Sequence, residues 1–352
     1  MQGTPITGYY EKKGGQIVCK LCPHHCIIAE GKVGLCKTRI NQEGSFYSLV
    51  YGYPVAIHQD PIEKKPLYHY FPGSSILSLG TVGCNLYCKG CQNFDISRAE
   101  AKNTHAAYIA PESIVVQAKA EHIPMIAYTY TEPTIFFEYM LAIAKQARAQ
   151  GIRNVMVSNG YIKEKPLQEL LKYLDAVNID LKGFDEKFYK EYCHAELFAV
   201  LKTLKRIIAY NKRQAKKRSE NKSAAKHTVW LEITNLLIPG LNDDPQQIAE
   251  MCAWIKKNLG SDVPVHFSRF YPYYKATHIL PTSMQELQHA KMIAQRAGLR
   301  YVYIGNTAQE EHTRCAHCGH VVIFRKGYAV DPLGLQDGRC THCKKRLPGV
   351  FK

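Results

Sequence analysis

Cys84, Cys88 and Cys91 stand at x3 and x2 spacing within Gly83-Cys84-Asn85-Leu86-Tyr87-Cys88-Lys89-Gly90-Cys91-Gln92-Asn93. A structural zinc site takes a fourth ligand, and an electron-transfer cluster usually takes a fourth cysteine. Three thiolates suit instead a cubane [4Fe-4S] cluster in which one iron has no protein ligand. Such an iron can be chelated by the amino and carboxylate groups of a bound small molecule. A zinc site completed by a distant histidine is the structural alternative.

Two more cysteine groups flank this one. Cys315-Ala-His-Cys318 and Cys340-Thr-His-Cys343 are paired knuckles separated by 21 residues. Their four thiolates close a tetrahedral zinc-ribbon site with no open position, and a rubredoxin-like iron site is the alternative. His317 and His342 lie inside the knuckles and are not read as ligands. Cys19-Lys-Leu-Cys22-Pro-His-His-Cys26 followed by Cys36 supplies four further sulfurs, with His24 and His25 as substitutes. Zinc is the preferred reading there. A fully ligated auxiliary iron-sulfur cluster fits the same ligands and would imply a second redox role such as electron relay. Eleven of the thirteen cysteines thus read as metal ligands and not as a disulfide framework. Cys193 and Cys252 read as small buried apolar residues.

Alternating strand and helix signals position these groups. Strands are predicted at Ser75 to Gly80, Met125 to Tyr130, Asn154 to Ser158, Ala176 to Leu181, Val229 to Leu237, Val265 to Phe270 and Tyr301 to Ile304. Helices are predicted at Pro111 to Glu121, Thr134 to Gln150, Pro166 to Leu174, Asp185 to Tyr210, Pro245 to Leu259 and Met284 to Ala297. Repeated β-then-α order requires parallel strands, in a doubly wound sheet or a barrel of βα units, with chemistry at the C-terminal strand ends. Gly83-Cys84, Thr131-Glu132-Pro133, Asn159-Gly160 and Lys182 all fall there. Between Asn41 and Tyr70 apolar positions alternate, and no chemistry is assigned.

A chain of 352 residues with 46% hydrophobic content can bury a large core. No stretch approaches the roughly 18 apolar residues of a membrane span, and the start lacks the basic-then-apolar layout of a signal peptide, so a cytoplasmic protein is expected. The net charge of +16 favours an anionic substrate, partner or nucleic acid. Much of it is local: Lys202 to Lys226 holds ten Lys or Arg and one acid, Glu220. A solvated helix end and loop accounts for such a run equally well.

The cysteine triad with the motifs after it resembles the radical S-adenosylmethionine (SAM) superfamily over roughly residues 75 to 306. The resemblance implies a [4Fe-4S] cluster on Cys84, Cys88 and Cys91, with SAM on the open iron. Tyr130-Thr131-Glu132-Pro133 stands where the family has Gly-Gly-Glu-Pro, whose backbone and Glu meet the SAM amino group; the Glu-Pro is kept and the glycines are not. Ser158-Asn159-Gly160 matches the motif near the ribose. Asn178-Ile179-Asp180-Leu181-Lys182 and Val265-His266-Phe267 resemble segments of glycyl-radical-enzyme activases that place Asp180, Lys182 and His266 near SAM. Strand-end ion pairing or an ordinary core histidine is the structural alternative for those three. The family's aromatic residue before the last cysteine is here Gly90, and Tyr87 is the candidate to supply the ring.

The whole layout resembles the AmmeMemoRadiSam system radical SAM enzymes, relatives of pyruvate formate-lyase activating enzyme. The residues that carry this are Cys19-x2-Cys22-Pro, Gly34-x-Cys36, Asp60-Pro-Ile-Glu-Lys-Lys-Pro66 and the terminal ribbon with Arg325-Lys-Gly-Tyr328. It implies a partial (β/α)6 barrel over residues 71–309, with an N-terminal Cys-rich module and lead-in (1–70) and a C-terminal zinc ribbon (310–352). It also implies a reductant such as flavodoxin or ferredoxin, and partner proteins of the AmmeMemo families. Three functions follow: hydrogen abstraction from an unidentified substrate, activation of a glycyl radical enzyme, or nucleic-acid binding by a zinc-ribbon protein whose central cysteines are structural.

Overall fold

The computed structural model describes residues 3–220 and 227–351. One sheet of eight strands runs in chain order: β1 (Ala56–Pro61), β2 (Ser75–Gly80), β3 (Met125–Tyr128), β4 (Arg153–Ser158), β5 (Ala176–Asp180), β6 (Trp230–Leu237), β7 (Val265–Arg269) and β8 (Val302–Gly305). β2 to β8 pair in parallel, and β1 is antiparallel along the β2 edge. The mixed α/β fold with a central parallel sheet is the one expected from the alternation of elements. Parallel strands are covered on both faces and so read as continuous apolar runs, as in Met125-Ile-Ala-Tyr128, buried at every position. β1 falls in the stretch to which the sequence assigned no role.

The connecting helices are α1 (Pro111–Ala120), α2 (Phe137–Ala149), α3 (Glu164–Leu170), α4 (Leu197–Glu220), α5 (Pro245–Asn258) and α6 (Met284–Arg296). Their starts carry the expected chemistry. Asp244 caps α5 by accepting from the Gln247 amide at 2.9 Å, and Ser283 with Glu286 forms a capping box on α6. The one helix predicted from Asp185 to Tyr210 is two pieces. A short segment Glu186–Phe188 widens into a π turn, Tyr189–Cys193, and left-handed His194 ends it. α4 then begins afresh on the buried stripe Leu197, Val200, Leu204, Ile207 and Tyr210. Its last turns carry the first part of the lysine-rich run; residues 221–226 of that run lie outside the described residues.

The N-terminal segment makes two small three-stranded antiparallel sheets. Its buried residues Ile6, Ile17, Leu21, Ile28, Phe46 and Val50 belong to the same apolar cluster as the barrel. The C-terminal ribbon has a separate small core of Cys315, Val322, Ile323, Cys340 and Leu347. Among the described residues no helix is long and apolar enough to cross a membrane.

Hydrogen bonds sew the ribbon to the lower barrel. Arg325 donates to the Thr313 hydroxyl at 2.7 Å, and Thr313 meets the Tyr303 hydroxyl at 3.0 Å. Tyr303 lies 2.5 Å from His69 Nε2, whose Nδ1–H donates to the Pro348 carbonyl at 2.7 Å. Burial pushes the His69 pKa down from 6.5 to about 4; attraction to Glu232 opposes this, and Arg325 and His266 reinforce it. Below pH 6.5 the unfolded chain binds a proton that the folded chain does not, so stability falls as pH drops from about 6.5 to about 4. The loss reaches about 3 kcal/mol. Denaturation curves across that window are expected to be steeper in pH for the wild type than for His69→Asn, and parallel curves would contradict this.

Candidate active site

The loop after β2 carries the three thiols. At Gly83 φ is +91°, and a Cβ would come within 2.5 Å of Thr38 and 2.7 Å of the Cys36 carbonyl, so only glycine fits against the N-terminal module. Asn85 then locks the loop: it donates to the Tyr161 carbonyl at 2.9 Å and accepts from Asn159 Nδ2 at 2.8 Å. Leu86 N–H lies 3.4 Å from Cys84 Sγ, and the Ser97 hydroxyl 3.3 Å from Cys91 Sγ, supplying polar contacts that suit thiolate ligands.

Cys84, Cys88 and Cys91 line one cavity of about 930 Å³ over the C-terminal strand ends. Thr131, Ser158, Asn159, Asp180, Lys182 and His266 line it as well. The buried Cys193 thiol neighbours Cys88, which the sequence spacing did not foretell, but it is not among the cavity-lining residues. Three thiols therefore face the cavity, which fits a cubane cluster with one open iron and room beside it for SAM.

Asp180, the last residue of β5, pairs with Lys182 at 2.8 Å, and the Tyr189 hydroxyl accepts the Lys182 amide at 2.9 Å. Burial opposes the Lys182 charge, and the Asp180 carboxylate together with the Cys88 and Cys193 thiols outweighs it, so the ammonium is held. The cavity's other cations are paired too: Lys64 and Lys65 each lie 2.7 Å from Asp60, and Arg325 lies 3.8 Å from Glu63. The chain's positive excess does not converge on this cavity.

Several residues carried over by resemblance stand elsewhere. Glu132 is fully buried and absent from the cavity lining. Its carboxylate accepts from Thr134 N–H at 2.9 Å, Ser158 Oγ at 2.8 Å and Asn159 N–H at 2.8 Å, tying the β3 end to the β4 end. Pro133 opens the turn beneath it. Tyr87 faces away: its hydroxyl donates to the Leu35 carbonyl, and the Arg98 guanidinium sits 4.1 Å over its ring. His266 does line the cavity, from low in the barrel: it is the second residue of β7, with Nε2 2.6 Å from Glu232.

Where an aromatic is missing at Gly90, the space is filled from another element. A Cβ there would lie 2.2 Å from Tyr192 Oη and 2.9 Å from Phe270. Tyr192 lines the cavity, stacks on Phe188 at 5.1 Å, and its buried hydroxyl has no partner. Gly90→Ala is expected to cost about 1–3 kcal/mol by overpacking, and Tyr192→Phe on that background, which removes the clashing oxygen and keeps the ring, should recover part of it in denaturant unfolding. No recovery would mean that Tyr192 does not fill this slot.

Tyr130 stands in the Tyr130-Thr131-Glu132-Pro133 motif, but the sequence did not show its contacts. It adopts φ +67°, the left-handed conformation that glycine meets most easily, and its hydroxyl donates to Asp60 at 2.7 Å while Lys65 sits 4.6 Å over its ring. The Asp60–Pro66 string is thus what holds the altered strand end.

The C-terminal thiols converge on a point. Cys315 and Cys343 are 3.6 Å apart, Cys318 and Cys340 3.7 Å, and all four sulfurs lie within 4.8 Å of one another. A tetrahedral ion with bonds of about 2.3 Å needs sulfurs about 3.8 Å apart.

The family model described as the radical SAM superfamily matches residues 78–252, the stretch that carries the triad loop, the ends of β3 and β4 and the Asp180–Lys182 pair. The chain belongs to the radical SAM superfamily. It is similar over 348 residues, 39% identical, to the uncharacterized protein MJ0808 of Methanocaldococcus jannaschii, covering 97% of this chain and 98% of that one. Over 132 residues it is 26% identical to the (2S)-3-sulfopropanediol dehydratase activating enzyme of Klebsiella oxytoca, which covers 38% of this chain and 36% of that enzyme. A solved domain of a pyruvate-formate lyase-activating enzyme from Bacteroides vulgatus aligns with TM-score 0.40 and 18% identity, over 51% of this chain and 98% of that domain. This radical SAM protein is accordingly an enzyme of that class, and the class implies a [4Fe-4S] cluster and SAM. The reading of the central cysteines as merely structural in a nucleic-acid-binding protein is set aside.

Proposed function

We propose that this radical SAM enzyme abstracts hydrogen from a substrate bound over the strand ends, with the cluster on Cys84, Cys88 and Cys91 and SAM in the cavity beside it. When bound, the cluster supplies the electron that splits SAM into methionine and a 5'-deoxyadenosyl radical. The carrying observation is that three thiols and the Asp180–Lys182 pair line one cavity of about 930 Å³. Lys182 offers a charge-assisted donor to the SAM carboxylate, and Asp180 an acceptor to its amino group. The Thr131 and Asn159 side chains flank the same space, and the Glu132 carboxylate keeps those two strand ends in register. Ser158, bonded to Glu132, acts through position. His266 sets the cavity floor through Glu232.

The barrel's main contribution is to hold substrate hydrogen and radical carbon together away from water. The electron comes from a protein reductant such as flavodoxin or ferredoxin, and the subtype is that of the AmmeMemoRadiSam enzymes working with AmmeMemo-family partners. Zinc occupies the Cys315, Cys318, Cys340 and Cys343 site, whose spacing suits a single ion. Residues 310–352 act as a closing module, with Gly327 and Tyr328 at the cavity. A cytoplasmic setting accords with the metal-ligand use of cysteine.

Local similarity to a glycyl-radical-enzyme activase favours a second reading, in which the hydrogen comes from a partner protein's backbone. One experiment divides them. Reduced enzyme and SAM are incubated with a metabolite fraction, or with a protein fraction, from cells grown in deuterated medium, and deuterium in 5'-deoxyadenosine is measured. Label from the metabolites supports the first reading, label from protein glycine replaces it with the second, and no label from either contradicts hydrogen abstraction. Lys182→Met should weaken SAM binding about 10- to 100-fold in equilibrium dialysis with iron content unchanged, the worth of a charge-assisted hydrogen bond. Unchanged affinity would remove Lys182 from the site.

A further inference from the structure

The N-terminal quartet differs from the ribbon in a way that bears on what it holds. Cys19, Cys22, Cys26 and Cys36 line one small cavity of about 20 Å³, together with His24, Arg39 and Asn85. All four are free thiols. Among the described residues, only the ribbon cysteines bring three or more ligand atoms within 4.8 Å of one another. Neither the quartet nor the central triad does. A lone tetrahedral ion sits in contact with all its sulfurs and draws them to about 3.8 Å. Sulfurs that stand farther apart around a void suit a ligand with atoms of its own between them. A void of about 10–15 Å³ admits a water, so these thiols border open space and do not close on one another.

Arg39 supplies an independent sign. It is 1% exposed, and only its Nη2 has a partner, Glu138 at 2.5 Å. Its Nε and Nη1 donate to nothing within the protein, although the side chain borders the thiol cavity. Buried donors are rarely left unmet, and a guanidinium beside four thiols asks for an anionic, acceptor-rich occupant. Thr38 Oγ1 also donates to Cys36 Sγ at 3.2 Å. Four thiolates on zinc would also give Arg39 an anionic, sulfur-rich neighbour, but a cysteine-ligated iron-sulfur cluster does so and spans the wider spacing as well. The site lies against the triad loop, where His24 Nε2–H donates to the Asn85 carbonyl at 2.6 Å.

We propose that Cys19, Cys22, Cys26 and Cys36 hold an auxiliary iron-sulfur cluster and not a zinc ion. This reverses the preference for zinc drawn from the spacing in sequence alone. The test uses full-length protein reconstituted anaerobically. The Cys84→Ala, Cys88→Ala, Cys91→Ala variant should keep iron and acid-labile sulfide in equal amounts, about two or four of each per chain. It should also show a reducible cluster signal in electron paramagnetic resonance. Adding Cys22→Ser and Cys36→Ser should abolish both while zinc stays at one per chain. A triad variant with no iron and two zinc ions would overturn the proposal, as would iron that survives the added serines. Should the serine variant misfold, the triad variant alone decides. The central assignment fails separately, if the triad variant binds as much iron as wild type.

Discussion

Cys84→Ala, Cys88→Ala, Cys91→Ala together are expected to reduce SAM cleavage to background while the barrel stays folded. All three thiols sit on a loop after β2 and face the cavity, whereas the apolar core is built from the strands and helices around it. Asn85 and Gly83 continue to fix the loop, so circular dichroism and unfolding midpoint should change little. Iron should fall by about four per chain. Residues that act as one unit do not contribute additively, so each single variant should lose nearly as much activity as the triple. A triple variant that formed 5'-deoxyadenosine at the wild-type rate would refute the assignment.

The largest structural effect is expected at Glu232, low in the barrel. Its carboxylate, fully buried, accepts from Tyr68 N–H at 3.0 Å, His69 N–H at 2.7 Å and Trp230 Nε1–H at 2.9 Å, and lies 2.6 Å from His266 Nε2. Burial alone would raise its pKa, but His266 first and then His69 and the Tyr68 amide hold it below the usual carboxylate value. Glu232→Ala orphans these donors at once and should destabilise the protein by about 3–5 kcal/mol. The variant is expected to loosen the ribbon too, because His69 is the partner of Pro348. Glu232→Gln, which keeps one acceptor, should fall between. A loss below about 1 kcal/mol for Glu232→Ala would mean that water satisfies the orphaned donors.

What the sequence made legible follows from physics that acts locally. The seven parallel strands showed as short buried runs between helical stretches, and the thiol groups showed by spacing. The break at His194 did not show, because a π turn and one left-handed residue leave the apolar period of the flanking segments nearly intact. Tyr192 and Phe270 were invisible as neighbours of Gly90, since 102 and 180 residues separate them from it, and only the closed barrel brings them together. Glu132 and His266 were found as residues but not as contacts: a motif gives identity, whereas the hydrogen bonds that draw Glu132 beneath the strand ends are tertiary. The Asp60–Pro66 string could have been connected with the loss of both glycines at Tyr130-Thr131, because a left-handed tyrosine needs something to hold it. For the N-terminal quartet, spacing along the chain says nothing about the distance between sulfurs, which is the quantity that separates an ion from a cluster.

The most direct test of the central claim is chemical. Anaerobic full-length enzyme, reduced and given SAM, is sampled for methionine and nucleoside products. The account expects 5'-deoxyadenosine and methionine in equal amounts, dependent on reductant and on Cys84, Cys88 and Cys91. S-adenosylhomocysteine with no 5'-deoxyadenosine, or no SAM turnover by iron-loaded enzyme, would contradict it.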